Sequence, residues 1–180
     1  MKKIEDLKTK IFLDGVDKKD MLDMNSKPFI KGLTTNPSLM KKAGIKDYKT
    51  FARDILSIIK KKPISFEVFS DEFDEMEKQA MEISSWADNV YVKIPITNTK
   101  RISSTKLIRN LAQNKIKLNI TAVMNVDQVK AVLSVLNQEV PSIISVFAGR
   151  VADTGRDPIP LMQNCLKEMQ INKKSELLWA

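Results

Sequence analysis

Apolar positions along the 180-residue chain fall into two alternating patterns. Short runs rich in β-branched and aromatic residues at 10–14 (KIFLD), 29–35 (FIKGLTT), 64–69 (ISFEVF), 90–95 (VYVKIP), 117–123 (KLNITAV), 142–147 (SIISVF) and 176–180 (ELLWA) predict strands. Between two pairs of these runs the period changes to that of a helix. Phe51, Ile55, Ile58 and Ile59 recur at helical spacing in 48–61, and Phe73, Met76, Ala80, Ile83 and Ala87 do so in 71–87. Strand then helix, repeated, predicts an α/β fold with a parallel sheet.

One strand breaks its own pattern. In NVYVKIPIT (89–97), Val90, Val92, Ile94 and Ile96 share one side of a period-two element, as expected of a face packed on helices. Lys93 points the other way, with Tyr91 and Pro95. A strand this apolar is rarely an exposed edge, so the ammonium is expected to project into the protein, where a lysine usually has a chemical task.

Two architectures suit the series, a doubly wound open sheet and a closed barrel. Neither G-x-G-x-x-G nor G-x-x-x-x-G-K-[ST] follows the first strand, so the nucleotide signatures of open sheets are missing. Asp14, Asn36, Glu67, Lys93, Asn119 with Thr121, and Ser145 fall at or near the C-terminal ends of six successive predicted strands. Barrel enzymes gather their catalytic groups there, so a (β/α)8 barrel of TIM type is expected, with residues 1–180 as a single domain.

Composition removes several chemistries. The chain has no histidine, which excludes Ser-His-Asp and Cys-His catalysis and the common zinc sites, so no metal is expected. Its one cysteine, Cys165, sits in a helical pattern and reads as an inert core thiol. The net charge of +8 suits phosphorylated partners. The clusters at 60–62, Lys41–Lys42 and Lys173–Lys174 fall at predicted helix ends or loops without aromatics to stack on bases, so they read as solvated surface and nucleic acid is not expected. The first ten residues lack an apolar secretory core and no run of about 18 apolar residues occurs, which points to a cytoplasmic protein without a membrane partner.

The run KGLTTNPSLMKKAG (31–44), with VYVKIP (90–95), FLD (12–14) and SVFAGRVAD (145–153), resembles the transaldolase family and its fructose-6-phosphate aldolase relatives. The resemblance extends from about residue 9 to the end. It implies carbohydrate metabolism of the pentose phosphate kind: transfer of a dihydroxyacetone unit between sugar phosphates through a lysine Schiff base, with no cofactor and with further copies of the chain as partners. Lys93 matches the family's Schiff-base lysine, Asp14 its acid–base carboxylate, and Glu67 and Thr121 the pair that holds a catalytic water. Asn36, Asn119 and Ser145 match groups that hydrogen-bond the three-carbon fragment, Thr34 belongs to the TTNP core of the pocket, and Arg150 matches the phosphate-gripping arginine. Imine formation needs an unprotonated amine, the form that burial favours, and guanidinium holds phosphate oxygens in a bidentate fork.

Two positions favour transfer over simple cleavage: Glu67 stands where the aldolase relatives have glutamine, and Phe147 where they have tyrosine. A tyrosine hydroxyl would help protonate the enamine and release dihydroxyacetone; a phenyl ring leaves it for an acceptor. The alternatives are a fructose-6-phosphate aldolase-type lyase and a non-catalytic sugar-phosphate-binding or assembly protein.

Each residue also has a plainer role open to it. Asn36 before Pro37 fits a helix cap, Asp14 before Gly15 a turn, Glu67 a salt-bridge partner of Lys93, Arg150 a surface pair with Asp153, and Ser145 and Phe147 a core lining. Where the family commonly has an acidic residue and glycine after the lysine strand, this chain has TNTKRISS, placing Lys100 and Arg101 near the expected rim or simply in solvent at a helix start. The sequence stops within the expected seventh strand, so strand eight and its closing helix are missing from a barrel that typically takes ~250 residues. The expectation is a fragment, a gap filled by another copy, or a sheet with two open edges.

Overall fold

The computed structural model describes residues 4–180. Among them, strands and helices alternate: β1 (Ile11–Asp14), α1 (Lys18–Ser26), β2 (Ile30–Thr34), α2 (Pro37–Lys42), α3 (Tyr48–Ile58), β3 (Ile64–Glu67), α4 (Phe73–Ser84), β4 (Val90–Pro95), α5 (Thr105–Gln113), β5 (Leu118–Val123), α6 (Val126–Leu133), β6 (Ser142–Val146), α7 (Ala148–Asp153), α8 (Ile159–Glu168) and β7 (Ser175–Trp179). The sheet order is β1-β2-β3-β4-β5-β6-β7, and the registered pairs are parallel. The α/β class and the parallel sheet expected from the periodicity are thus present. β7 is registered along all five residues with β6, from Ser142↔Ser175 to Val146↔Trp179.

The chain divides into two compact units. The first comprises the residues up to Glu67 together with Glu82–Tyr91; the second comprises Val68–Met81 and Val92–Ala180.

In the first unit, β1 and β2 pair from Ile11↔Ile30 to Asp14↔Thr34, with a register shift after Ile11. Phe12 lies opposite Gly32, and a Cβ at Gly32 would collide with its ring, so any side chain there would force the ring to move. Helix starts follow the chemistry of their caps: Asp17, Asn36 and Asp47 each accept a hydrogen bond from a backbone N–H three residues on, and Pro37 occupies the first position of α2. The core includes Phe66, whose ring meets Tyr48 and Trp86 edge-on at centroid distances of 5.9 and 5.6 Å; Tyr48 and Trp86 meet likewise at 5.5 Å.

The helical stripe expected at 48–61 needs one correction. Ala52, Ile55, Leu56 and Ile59 form the buried face, whereas Ile58 is exposed, because it lies off the side of a face centred between Ile55 and Leu56. Lys62 also differs from the solvated reading. Its ammonium donates to the carbonyls of Asn25 and Lys27 at 2.6 and 2.8 Å, satisfying the C-terminal end of α1. Partial burial, with Lys31 nearby, holds its pKa below the ordinary lysine value.

In the second unit, β4 pairs with β5 from Val92↔Leu118 to Pro95↔Thr121, and β5 with β6 from Leu118↔Ser142. Val92, Ile94, Leu118, Ile120, Ile144 and Val146 are all fully buried and share one face by alternation. The strand expected at 64–69 ends at Glu67. Beyond it the Phe69 and Ser70 N–H groups donate to the Gln79 side-chain carbonyl, which turns the chain into α4, and the Phe69 ring is exposed. Cys165 is buried on α8, and burial pushes its thiol pKa up, as suits an inert core position.

Candidate active site

In the first unit the structure brings together three of the expected residues. Asp14 ends β1 directly opposite Thr34. The Thr34 hydroxyl donates to one Asp14 carboxylate oxygen at 2.8 Å and the Asn36 amide to the other at 3.4 Å. Asn36 also fills the capping role that its place before Pro37 allows: its side-chain oxygen accepts from the Leu39 N–H at 2.9 Å and caps α2. The cap fixes the amide plane, and the amide nitrogen then faces the carboxylate. Glu67 is half-buried at the end of β3, and its carbonyl accepts from the Tyr48 hydroxyl at 3.2 Å. Burial, more than any other influence, pushes the Tyr48 pKa above its ordinary value.

In the second unit a polar row crosses three strands. Lys93 is 8% exposed on β4, directly opposite Asn119 on β5. Residues opposite one another in a parallel ladder present their side chains to the same face, so Lys93 and Asn119 share it, and Thr121, two residues on, shares it too. The Ser145 hydroxyl on β6 donates to the Asn119 side-chain carbonyl at 2.8 Å, both residues being buried. Thr121 is 2% exposed, and its hydroxyl has no hydrogen-bond partner among the described residues. A buried, unpaired hydroxyl is costly, about 1–3 kcal/mol, so the group is suited to a polar ligand or a relayed proton.

Phe147 and Arg150 belong to a different setting. Phe147 is half-buried at the start of α7, and Arg150 on that helix is 73% exposed, pairing with Asp153 at 3.4 Å. The plainer reading of Arg150 is therefore realised at its guanidinium. An exposed pair one helical turn apart contributes ~0.3–0.5 kcal/mol, too little to hold the side chain against a phosphate.

The TNTKRISS segment forms a tight loop. Thr97 and Ser103 bridge in antiparallel fashion, Asn98 accepts from Arg101 and Ile102, and the Asp71 carboxylate accepts from both the Thr99 N–H and its hydroxyl. Those two bonds, the hydroxyl's first, hold the Asp71 pKa below the usual carboxylate value. Lys100 is exposed and paired with Glu72 at 2.9 Å, and Arg101 is exposed with a left-handed backbone, φ 62°.

Two features escaped the sequence. Tyr48 supports the end of β3 from the start of the helix that precedes it, 19 residues back, and nothing local marks it. Ala122, within β5, has φ 58°, a conformation that alanine gives no sign of adopting. Among the described residues no group of three acidic, cysteine or histidine side chains is placed to hold a metal ion, and no helix is long and apolar enough to cross a membrane.

The family model Transaldolase/Fructose-6-phosphate aldolase matches residues 11–180. A probable transaldolase of Dehalococcoides mccartyi is 34% identical over 155 residues, covering 86% of this chain and 68% of the relative. A probable transaldolase of Clostridium kluyveri is 35% identical over 172 residues, 95% of this chain and 75% of the relative. A third, from Methanococcus maripaludis, is 34% identical over 158 residues, 88% and 69% of the two chains. With a family match across nearly its whole length, in agreement with the TTNP core, the strand lysine and the parallel α/β fold, the chain belongs to the transaldolase/fructose-6-phosphate aldolase family.

Proposed function

We propose that this protein transfers a dihydroxyacetone unit between sugar phosphates through a Schiff base on Lys93. The observation that carries the reading is a lysine 8% exposed on β4, opposite Asn119, which is itself held by Ser145, with the unpartnered Thr121 hydroxyl on the same face. The neutral amine of Lys93 adds to the ketone carbon of the donor; loss of water leaves an iminium. The bond between the carbon next to the iminium and the hydroxyl-bearing carbon beyond it then breaks, its electron pair entering the iminium to form an enamine, while the Asp14 carboxylate takes the proton of that hydroxyl as the aldehyde departs. An acceptor aldehyde reverses these steps, and water returns the lysine.

Glu67 and Thr121 hold the water that relays protons during imine formation and hydrolysis. Asn119, Ser145, Asn36 and Thr34 position the three-carbon fragment, directly or by fixing the carboxylate. Phe147 brings a phenyl ring where a tyrosine would bring a hydroxyl to protonate the enamine, favouring transfer over release, and Arg150 exchanges Asp153 for the substrate phosphate. Oligomerisation and a cytoplasmic location accompany the same reading.

Borohydride reduction in the presence of fructose 6-phosphate, followed by intact mass and peptide mapping, tests it. The expected result is one reduced adduct on Lys93, absent in Lys93→Met. An adduct on another lysine, or none in the unaltered chain, overturns the assignment. The lyase alternative is judged in the same preparation: free dihydroxyacetone released faster than it is transferred to an added aldehyde would replace the transferase by an aldolase.

A further inference from the structure

We infer that Ala122 is a positioning residue, whose left-handed backbone keeps the Val123 side chain off the face that carries the Thr121 hydroxyl; this rests on the role proposed for Thr121. Asn119 and Ile120 on β5 face Ile143 and Ile144 on β6, so uninterrupted pairing would set Thr121 against Ser145 and Ala122 against Val146. Instead Val123 faces Val146. Three residues of β5 advance against two of β6, a β-bulge at Thr121–Ala122, and its extra residue is accommodated by the φ of 58° at Ala122.

The bulge changes which side chain goes where. Strict alternation would send Val123 to the face of Asn119 and Thr121, one pleat further toward the strand's C-terminal end, with its branched side chain next to the hydroxyl. With the bulge, Val123 joins Leu118 and Ile120 on the apolar face; it is fully buried beside Val146, and the Phe147 N–H donates to its carbonyl at 2.8 Å. The β4 side stays in register, Pro95 opposite Thr121, with the Ile96 N–H donating to the Thr121 carbonyl at 2.9 Å. Thr121 therefore stays tied to the lysine strand while the Val123 side chain goes to the opposite face. A left-handed position usually goes to glycine or asparagine, and alanine there carries strain that the surrounding ladder must hold.

The test compares Ala122→Gly, Ala122→Asn and Ala122→Val in the full 180-residue chain. Glycine and asparagine accept the left-handed conformation; valine, near asparagine in size but β-branched, opposes it. Initial rates of borohydride-trapped adduct on Lys93 are measured against fructose 6-phosphate concentration, alongside thermal melting. Glycine and asparagine should trap within about threefold of the unaltered chain and valine at least about tenfold more slowly, with the half-saturating concentration little changed. Glycine should also melt about 2–4 °C higher by relieving strain. A valine variant trapping at the original rate, an asparagine variant as slow as valine, or a glycine variant that melts lower overturns the inference. If valine fails to fold, the glycine and asparagine rates decide it by the same limits. If the unaltered chain forms no adduct, the Schiff-base reading fails on its own. The bulge is then judged by melting order, glycine above alanine above valine supporting it and any other order refuting it.

Discussion

The two compact units hold their polar residues in opposite ways. In the first, the Asp14 carboxylate is exposed and kept in place by donors: the Thr34 hydroxyl on one oxygen and the Asn36 amide, itself fixed by a helix cap, on the other. In the second, Lys93, Asn119, Thr121 and Ser145 are all buried and ordered by strand register. The contrast shows two routes to preorganisation. An exposed group needs fastening because water competes for it, whereas a buried group is oriented by its strand and can retain an unpaired hydroxyl for chemistry. The first unit also holds the Tyr48, Phe66 and Trp86 cluster.

The contrast is broken most severely at that cluster. Phe66→Ala removes a fully buried ring and should cost about 3–5 kcal/mol in urea-monitored unfolding, because the two remaining aromatics cannot close over the space. The next largest effect lies in the second unit, on binding. Arg150→Ala should weaken sugar-phosphate binding by roughly 10- to 150-fold, about 1.5–3 kcal/mol by titration calorimetry. The melting temperature should hardly move, since the exposed Asp153 pair adds little. Equal affinity in variant and parent would remove Arg150 from the site.

Asn36 sharpens the comparison. Asn36→Ala deletes the α2 cap and the amide beside Asp14 together, and should cost about 1 kcal/mol of stability. Asn36→Asp keeps the cap but sets a second carboxylate against Asp14. It should retain most of the stability while slowing adduct formation; if adduct formation matches the parent in both variants and only Asn36→Ala loses stability, Asn36 serves only as a cap.

The smallest effect at neutral pH is at Tyr48. Its folded pKa is raised by burial, so the neutral hydroxyl's contribution is fully present below the ordinary tyrosine value of ~10 and is lost as pH rises toward the folded value. Stability of the parent should therefore fall above pH ~10 through this group. Tyr48→Phe should lose only about 0.5–1.5 kcal/mol at neutral pH and show a shallower alkaline decline. Parallel alkaline curves for the two proteins would show that another group governs that limb.

What the sequence by itself determined was whatever depends on alternation and local hydrogen bonding. Val90, Val92, Ile94 and Ile96 fixed one face of the lysine strand, and the opposite parity placed Lys93. Asn36 before Pro37 specified a helix start, and the seven apolar runs specified the strands to within two residues at either end. Only the tertiary structure decided the rest. Lys62 reaches the carbonyls at the end of α1 and Tyr48 joins Phe66 and Trp86 through residues well separated in the chain, and Ile58 falls outside the face of α3 that the fold buries. Ala122 is the plainest case: LNIT alternates, the two apolar residues after it do not by themselves mark a bulge, and alanine alone avoids a left-handed backbone. The Pro95 register on one side and the Val146 register on the other can both be satisfied only if β5 takes up one extra residue, so the surrounding sheet imposes a conformation that no local preference predicts.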